Sequence, residues 1–176
     1  MNTKYVIRNG ELIEKEKANI SIYSKSLFFD FCVYSNIKVV HGSMFVPHLE
    51  IKKLFQSAEI IGLDHPFTEE EVVSWTRTLI KVNHLSDALI RLLLIGPEKE
   101  SEATLFLFPV GLTFHPKKLY TKGAKVITYE GERVFPTAKS KDLLLGYLGY
   151  QEAMKNDAID ALLVDNEGNI REGTRS

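Results

Sequence analysis

Pro136-Thr-Ala-Lys139-Ser-Lys-Asp-Leu-Leu144 decides the reading of this chain because a helix, a strand, a turn and a second strand succeed it at short intervals. Residues 143–155 carry an apolar helical pattern, 159–164 read as a buried strand, Asp165-Asn-Glu-Gly168 as a turn, and a last strand starts at Ile170 and reaches Glu172-Gly-Thr174. Upstream, residues 124–129 form a strand whose loop leads to Lys139, a lysine read as standing at a strand end. Gly146 and Gly149 fall inside the helix, where they are expected to allow close packing. This last third is therefore an α/β segment.

Working outward toward the N-terminus, the pattern becomes α+β. Tyr5-Val-Ile-Arg8 ends at Asn9-Gly10, a hairpin signal, and residues 33–40 with Met44-Phe-Val46 read as two strands joined through His41-Gly42-Ser43. Pro47 suits a first helical turn, and Ile51, Leu54, Phe55, Ala58 and Ile61 recur at helical spacing before Gly62. A second helix starts at Thr68, whose spacing to Glu71 makes a capping box, with Val72, Trp75, Leu79 and Val82 on one face. Residues 88–95 and 104–110 are short, almost wholly apolar runs on either side of the charged turn Gly96-Pro-Glu-Lys-Glu-Ser-Glu102, which suits buried antiparallel strands.

The organisation expected is an N-terminal α+β domain over 1–115, a linker over 116–122, and a second part over 123–176. That second part is shorter than a typical domain of about 100 residues or more, so it is read as the opening of a larger C-terminal domain, apparently truncated at Ser176.

Composition narrows the function classes. The chain has 176 residues, 44% of them hydrophobic, with a formal charge of −1, so it can bury a core and shows no basic stripe for nucleic acid. Cys32 is the single cysteine, which excludes an intramolecular disulfide and makes a reducing cytoplasm the expected compartment. The N-terminus has no apolar signal core and no apolar run reaches membrane-spanning length. His41, His48, His65, His84 and His115 are dispersed without ligand spacing, so no metal is expected. Neither a Gly-x-Ser-x-Gly elbow nor a Walker loop is present.

The residues that carry chemistry are Lys139 and Glu172. A primary amine that can be held unprotonated, by burial or by a neighbouring cation, can form a Schiff base, and a separate carboxylate can keep a pyridine ring cationic. Together they suit pyridoxal 5′-phosphate (PLP), whose ring accepts the electrons left when a substrate proton is removed. Family-like pieces surround this pair along the whole chain. Ser26-Leu-Phe-Phe29 through Val39-Val-His-Gly42 lies where a Gly-Asp-Gly-Val-Phe-Glu strand is expected, and Lys53-Leu-Phe-Gln-Ser-Ala58 is similar to an Arg-Leu-x-x-Ser-Ala helix. Arg133 precedes Lys139 by six residues, and the lysine segment runs on to Tyr150-Gln-Glu-Ala153, Asp160-Ala-Leu-Leu-Val-Asp165 and Asn169-Ile-Arg-Glu-Gly-Thr174. In order and spacing the chain resembles the class IV, fold-type IV PLP-dependent aminotransferases, the group of branched-chain amino acid aminotransferases, D-amino acid aminotransferases and aminodeoxychorismate lyases.

The resemblance implies a two-domain fold-type IV enzyme in which Lys139 forms the Schiff base with PLP and Glu172 pairs with the ring nitrogen. It implies that Lys53 takes the place of the arginine that grips the cofactor phosphate, with Thr174 also at the cofactor. Tyr34 falls at an aromatic position facing the active site, and Arg91 in Leu89-Ile-Arg-Leu92 at the arginine bordering the substrate pocket. The implied reaction moves an amino group between a branched-chain-like amino acid and a 2-oxo acid, in a homodimer. Aminodeoxychorismate lyase is the alternative within the same chemistry. A non-catalytic or fragmentary relative is the alternative outside it. It draws on Lys53, which lacks the arginine's planar fork, on Phe31, Cys32 and Ser35 where the family motif has Asp, Gly and Glu, and on the missing Gly-, Thr- and Arg-rich stretch after Ser176.

Overall fold

The computed structural model describes residues 3–98 and 102–175, so residues 99–101 of the charged turn lie outside the described residues, as do Met1, Asn2 and Ser176. The chain divides into two compact units, one of Met1–Leu112 with Thr137–Lys141, the other of Thr113–Pro136 with Asp142–Ser176. Each is described by itself.

The first unit is built on β1 (Tyr5–Arg8), β2 (Glu11–Glu14), a short helix α1 (Lys25–Phe28), β3 (Cys32–Val40), β4 (Ser43–Phe45), α2 (Pro47–Ile60), α3 (Glu69–Val82), β5 (Ala88–Ile95) and β6 (Thr104–Val110). The six strands form one antiparallel sheet in the order β2-β1-β6-β5-β3-β4. Strand periodicity decides which side chains meet the helices. Val33, Ser35, Ile37 and Val39 of β3 and Ala88, Ile90, Leu92 and Leu94 of β5 are all fully buried, in a core shared with Ile51, Leu54 and Ala58 of α2 and Val72 and Leu79 of α3. Tyr34, Asn36 and Arg91 belong to the opposite set, and the register sets Asn36 directly across from Arg91.

Local chemistry explains the connections. The turns at Asn9-Gly10 and His41-Gly42 hold both central residues at positive φ, 48° and 85° in the first and 49° and 74° in the second, which suits the twist of the flanking strands. A side chain at Gly10 would also sit 2.9 Å from the Trp75 ring. At the start of α3 the Thr68 hydroxyl accepts from the Glu71 N–H while the Glu71 carboxylate accepts from the Thr68 N–H, a closed capping box.

His65 makes the first unit sensitive to acid. Its ring lies 4.2 Å from Phe55 and 5.8 Å from Phe67 between centroids, and its buried Nδ1 has no hydrogen-bond partner among the described residues. Burial lowers its pKa, against a smaller opposing pull from Asp64. The unfolded chain therefore binds a proton here before the folded chain does, and stability drops as pH falls through about 6.5 toward the folded value. Urea midpoints read by the fluorescence of Trp75, the single tryptophan of the chain, should fall between pH 7.5 and 5, and His65→Phe should reduce that fall.

The second unit contains α4 (Lys117–Lys122), β7 (Val126–Glu130), α5 (Leu144–Lys155), β8 (Asp160–Val164) and β9 (Ile170–Gly173). β7 and β8 are parallel, as a helical crossover requires, and β9 adds antiparallel to β8. The segment 116–122, read as a linker, contains the short helix α4, which Gly123 stops at φ 77°. Across the described residues no helix is long and apolar enough to cross a membrane.

Candidate active site

Lys139 does not end a strand of the sheet that precedes it. Its segment instead docks on β3. β4 pairs only with Lys38–Val40, which leaves the Cys32–Tyr34 end of that edge open, and Val33 and Ser140 form an isolated antiparallel bridge there. Tyr34 N–H donates to the Lys139 carbonyl at 2.9 Å and Lys141 N–H to the Cys32 carbonyl at 3.0 Å. The Lys139 N–H donates to Ser57 Oγ at 3.0 Å, and Ser57 Oγ donates to the Lys53 carbonyl at 2.7 Å. Extended backbone then alternates: Ala138 and Ser140 are buried, and the Lys139 side chain between them is exposed. Its amine lies 5.9 Å from the Tyr34 ring centroid and makes no hydrogen bond or ion pair among the described residues.

This amine opens on a cleft of about 420 Å³ whose other lining residues are Lys53, Gln56, Ser57, Glu59, Ile60 and Thr137. Positions 53, 56, 57 and 60 share one face of α2, so the helix supplies one wall as a unit. Lys53 Nζ donates to Glu50 Oε1 at 2.8 Å, and Ser35 Oγ donates to Glu50 Oε2 at 2.9 Å. Burial tends to raise the Glu50 pKa, but hydrogen bonds from Lys53 and Ser35 and the charges of Lys53 and Lys139 outweigh it, so the carboxyl titrates below its ordinary value. Cys32 behaves oppositely: burial pushes its thiol up to about 11, which marks it as a core side chain rather than a nucleophile.

Tyr34 links the lysine to the third cation. The Arg91 guanidinium carbon is 5.8 Å from the same ring centroid, and Arg91 Nε donates to Asn36 Oδ1 at 3.2 Å. Lys139, Tyr34 and Arg91 are thus brought together around the Tyr34 ring, with both cations within the range of a favourable contact with the aromatic ring.

In the second unit, Glu172 on β9 is gripped by Arg133 through a two-point fork, Nε to Oε1 at 2.7 Å and Nη2 to Oε2 at 3.0 Å. Arg133 Nη2 also donates to the Pro136 carbonyl at 2.9 Å. The Thr174 N–H donates to the Ala161 carbonyl at 2.9 Å and its hydroxyl to the Asp160 carboxylate, so both of its donors are used inside this unit. A Cβ added at Gly149 would stand 2.9 Å from Thr174 Cγ2, which is why α5 needs glycine where it crosses this point. Asp165 organises the preceding turn, accepting from the Glu167 and Asn169 N–H groups and pairing with Arg171 at 2.8 Å.

Sequence reasoning did not select Glu50, Ser57 or the Arg133 fork as site residues. Ser57 lies inside the Lys53–Ala58 motif and Arg133 at fixed spacing from Lys139, whereas Glu50 has only its three-residue offset from Lys53 as a signal.

The model of the amino-transferase class IV family matches residues 33–176. This chain belongs to that family. Among similar class IV proteins, a Methanocaldococcus jannaschii protein named as a branched-chain-amino-acid aminotransferase is 27% identical over 94% of this chain and 61% of its own length. The D-alanine aminotransferase of Bacillus licheniformis is 29% identical over 97% of this chain and 63% of its own. Among solved structures, the branched-chain aminotransferase of Thermoproteus uzoniensis with norvaline superposes with a TM-score of 0.86 at 22% identity, covering 97% of this chain and 62% of that one. That likeness shows the class IV fold. The chain spans a little over three fifths of the length of the relatives it matches.

Proposed function

We propose that this chain serves a PLP-dependent aminotransferase that moves an amino group between an amino acid and a 2-oxo acid. The observation that carries the reading is Lys139: its backbone is tied on both sides, its amine makes no hydrogen bond or ion pair among the described residues, and it faces a cleft holding a second cation. The donor set suits a phosphorylated aromatic aldehyde. It offers a primary amine for the aldehyde, Lys53 with the hydroxyl of Thr137 for the phosphate, and a volume within the roughly 300–1,000 Å³ of small-molecule sites. When bound, PLP would supply a carbonyl that condenses with amines and a ring that accepts electrons.

Each of the chain's own residues then has a role. Lys139 would hold the cofactor and, once displaced by a substrate amine, act as the base that moves the proton at the substrate Cα. Lys53 would hold the phosphate. Glu172, oriented by the Arg133 fork, would accept the N–H of the pyridine ring. Thr174 would contribute by fixing the end of β9 behind Glu172, since its donors are already committed. Arg91 would take a substrate carboxylate, with Tyr34 as the aromatic wall beside it.

A branched-chain L-amino acid is the donor favoured by the relatives with that name and by the Ile90-Arg91 strand, and the D-alanine aminotransferase likeness favours D-alanine as the second reading. A homodimer fits the exposed Ile22, Tyr23, Phe28 and Phe29, and a reducing cytoplasm fits the lone buried Cys32. The test is a half-reaction. The PLP-loaded protein, given L-leucine or D-alanine without an acceptor, should release up to one equivalent of the matching 2-oxo acid, measured by mass spectrometry. Release from L-leucine alone supports the first reading, release from D-alanine alone the second, and release from neither contradicts both.

A further inference from the structure

We propose that Glu50 is a positioning residue of the phosphate end of this cleft, acting through Lys53. The inference rests on the reading of the cleft as a PLP site. Ser35 and Lys53 are two positions at which the chain departs from the family motif, and both departures end on the same carboxylate, at 2.9 Å and 2.8 Å. Ser35 is fully buried in the sheet, so its hydroxyl is a fixed anchor for one Glu50 oxygen. The other oxygen holds Lys53 one helical turn further along α2. A hydroxyl on β3, a carboxylate on α2 and an ammonium at the cleft thus form a short rigid chain.

This chain answers a physical need created by lysine. An ammonium is a point charge on a flexible four-carbon stem, without the planar fork that lets arginine hold a phosphate in a set direction. Half-exposed and unrestrained, it would spend much of its time in solvent. Tethering to Glu50 keeps the charge in the cleft it shares with Lys139, so that an entering phosphate meets an ammonium already in place. Pre-organisation of this kind raises affinity by reducing what must be ordered on binding. Glu50 itself remains ionised, because Lys53, Ser35 and Lys139 together favour its charged form over the effect of burial.

The test separates the phosphate from the aldehyde. Lys139 of the full chain is titrated with PLP and, separately, with pyridoxal, which lacks the phosphate; each adduct is reduced with borohydride and quantified by peptide mass spectrometry. The wild-type chain should be half-labelled at a much lower concentration of PLP than of pyridoxal. Glu50→Ala should raise the PLP concentration by about tenfold, the scale of one well-placed charged contact, and leave the pyridoxal value within about twofold. Lys53→Met should give the same collapse, and the double variant should lose nothing more, because Glu50 acts through Lys53. Glu50→Gln keeps the size and an acceptor for Ser35 and should still lose most of the PLP preference, which guards against a folding defect in the alanine variant. An unchanged preference, tighter PLP labelling in Glu50→Ala, or a Glu50 effect that persists without Lys53 would overturn the proposal. A wild-type preference unaffected by Glu50→Ala overturns this inference alone, whereas a wild-type chain labelled at Lys139 by neither probe overturns the cofactor reading with it.

Discussion

Replacing Lys139 by alanine is expected to abolish covalent capture of PLP while leaving the fold as stable as before. Stability should change by no more than about 0.5 kcal/mol, because the side chain is exposed and makes no hydrogen bond or ion pair among the described residues. The hydrogen bonds that dock the segment, to Ser57 and from Tyr34, belong to the Lys139 backbone and survive the change. Borohydride-stable incorporation should fall at least about a hundredfold, since the neighbouring amine of Lys53 is already hydrogen-bonded to Glu50. Incorporation that persists at the wild-type level would mean that another amine carries the chemistry.

The largest expected effect on stability is at Leu54. It is fully buried on α2 between Ile51 and Ala58, in the core made with β3 and β5. Leu54→Ala removes three buried carbons and leaves a cavity that a helix seated on a sheet can close only in part, which costs about 2–5 kcal/mol. Against a typical domain stability of about 5–15 kcal/mol, that is a large share. The same helix carries Glu50, Lys53 and Ser57, so the variant should also weaken PLP capture at temperatures where the wild type still binds. Urea unfolding followed by Trp75 fluorescence checks the energy; a loss below about 1 kcal/mol would show that the site collapses around the smaller side chain.

What could be read from the sequence was what local pattern carries. The runs that became β5 and β6 are almost wholly apolar and bounded by turn residues, and the Thr68–Glu71 box and the Asn9-Gly10 and His41-Gly42 turns each arise from a few adjacent residues. Lys139 and Glu172 stood out because a known order of motifs surrounds them. What escaped depends on long-range pairing. The bridge between Val33 and Ser140 spans more than a hundred positions and leaves no periodic trace, so Lys139 read as a strand end of the second part, whereas its segment completes an edge of the first unit's sheet. Glu50 has no signal in the sequence beyond its three-residue offset from Lys53. Only the register of β3 against α2, which brings Ser35 to its second oxygen, reveals it as part of the site. The bond between Arg133 and Glu172 joins residues 39 positions apart and was equally silent.

The account of Lys139 is tested most directly by mapping where PLP attaches. The folded chain is incubated with PLP, reduced with borohydride and digested, and the pyridoxyl group is located by tandem mass spectrometry. One adduct per chain on the peptide containing Lys139 is the predicted result. An adduct on Lys53 or Lys141 instead, or a scatter over surface lysines with no preference for Lys139, would contradict it.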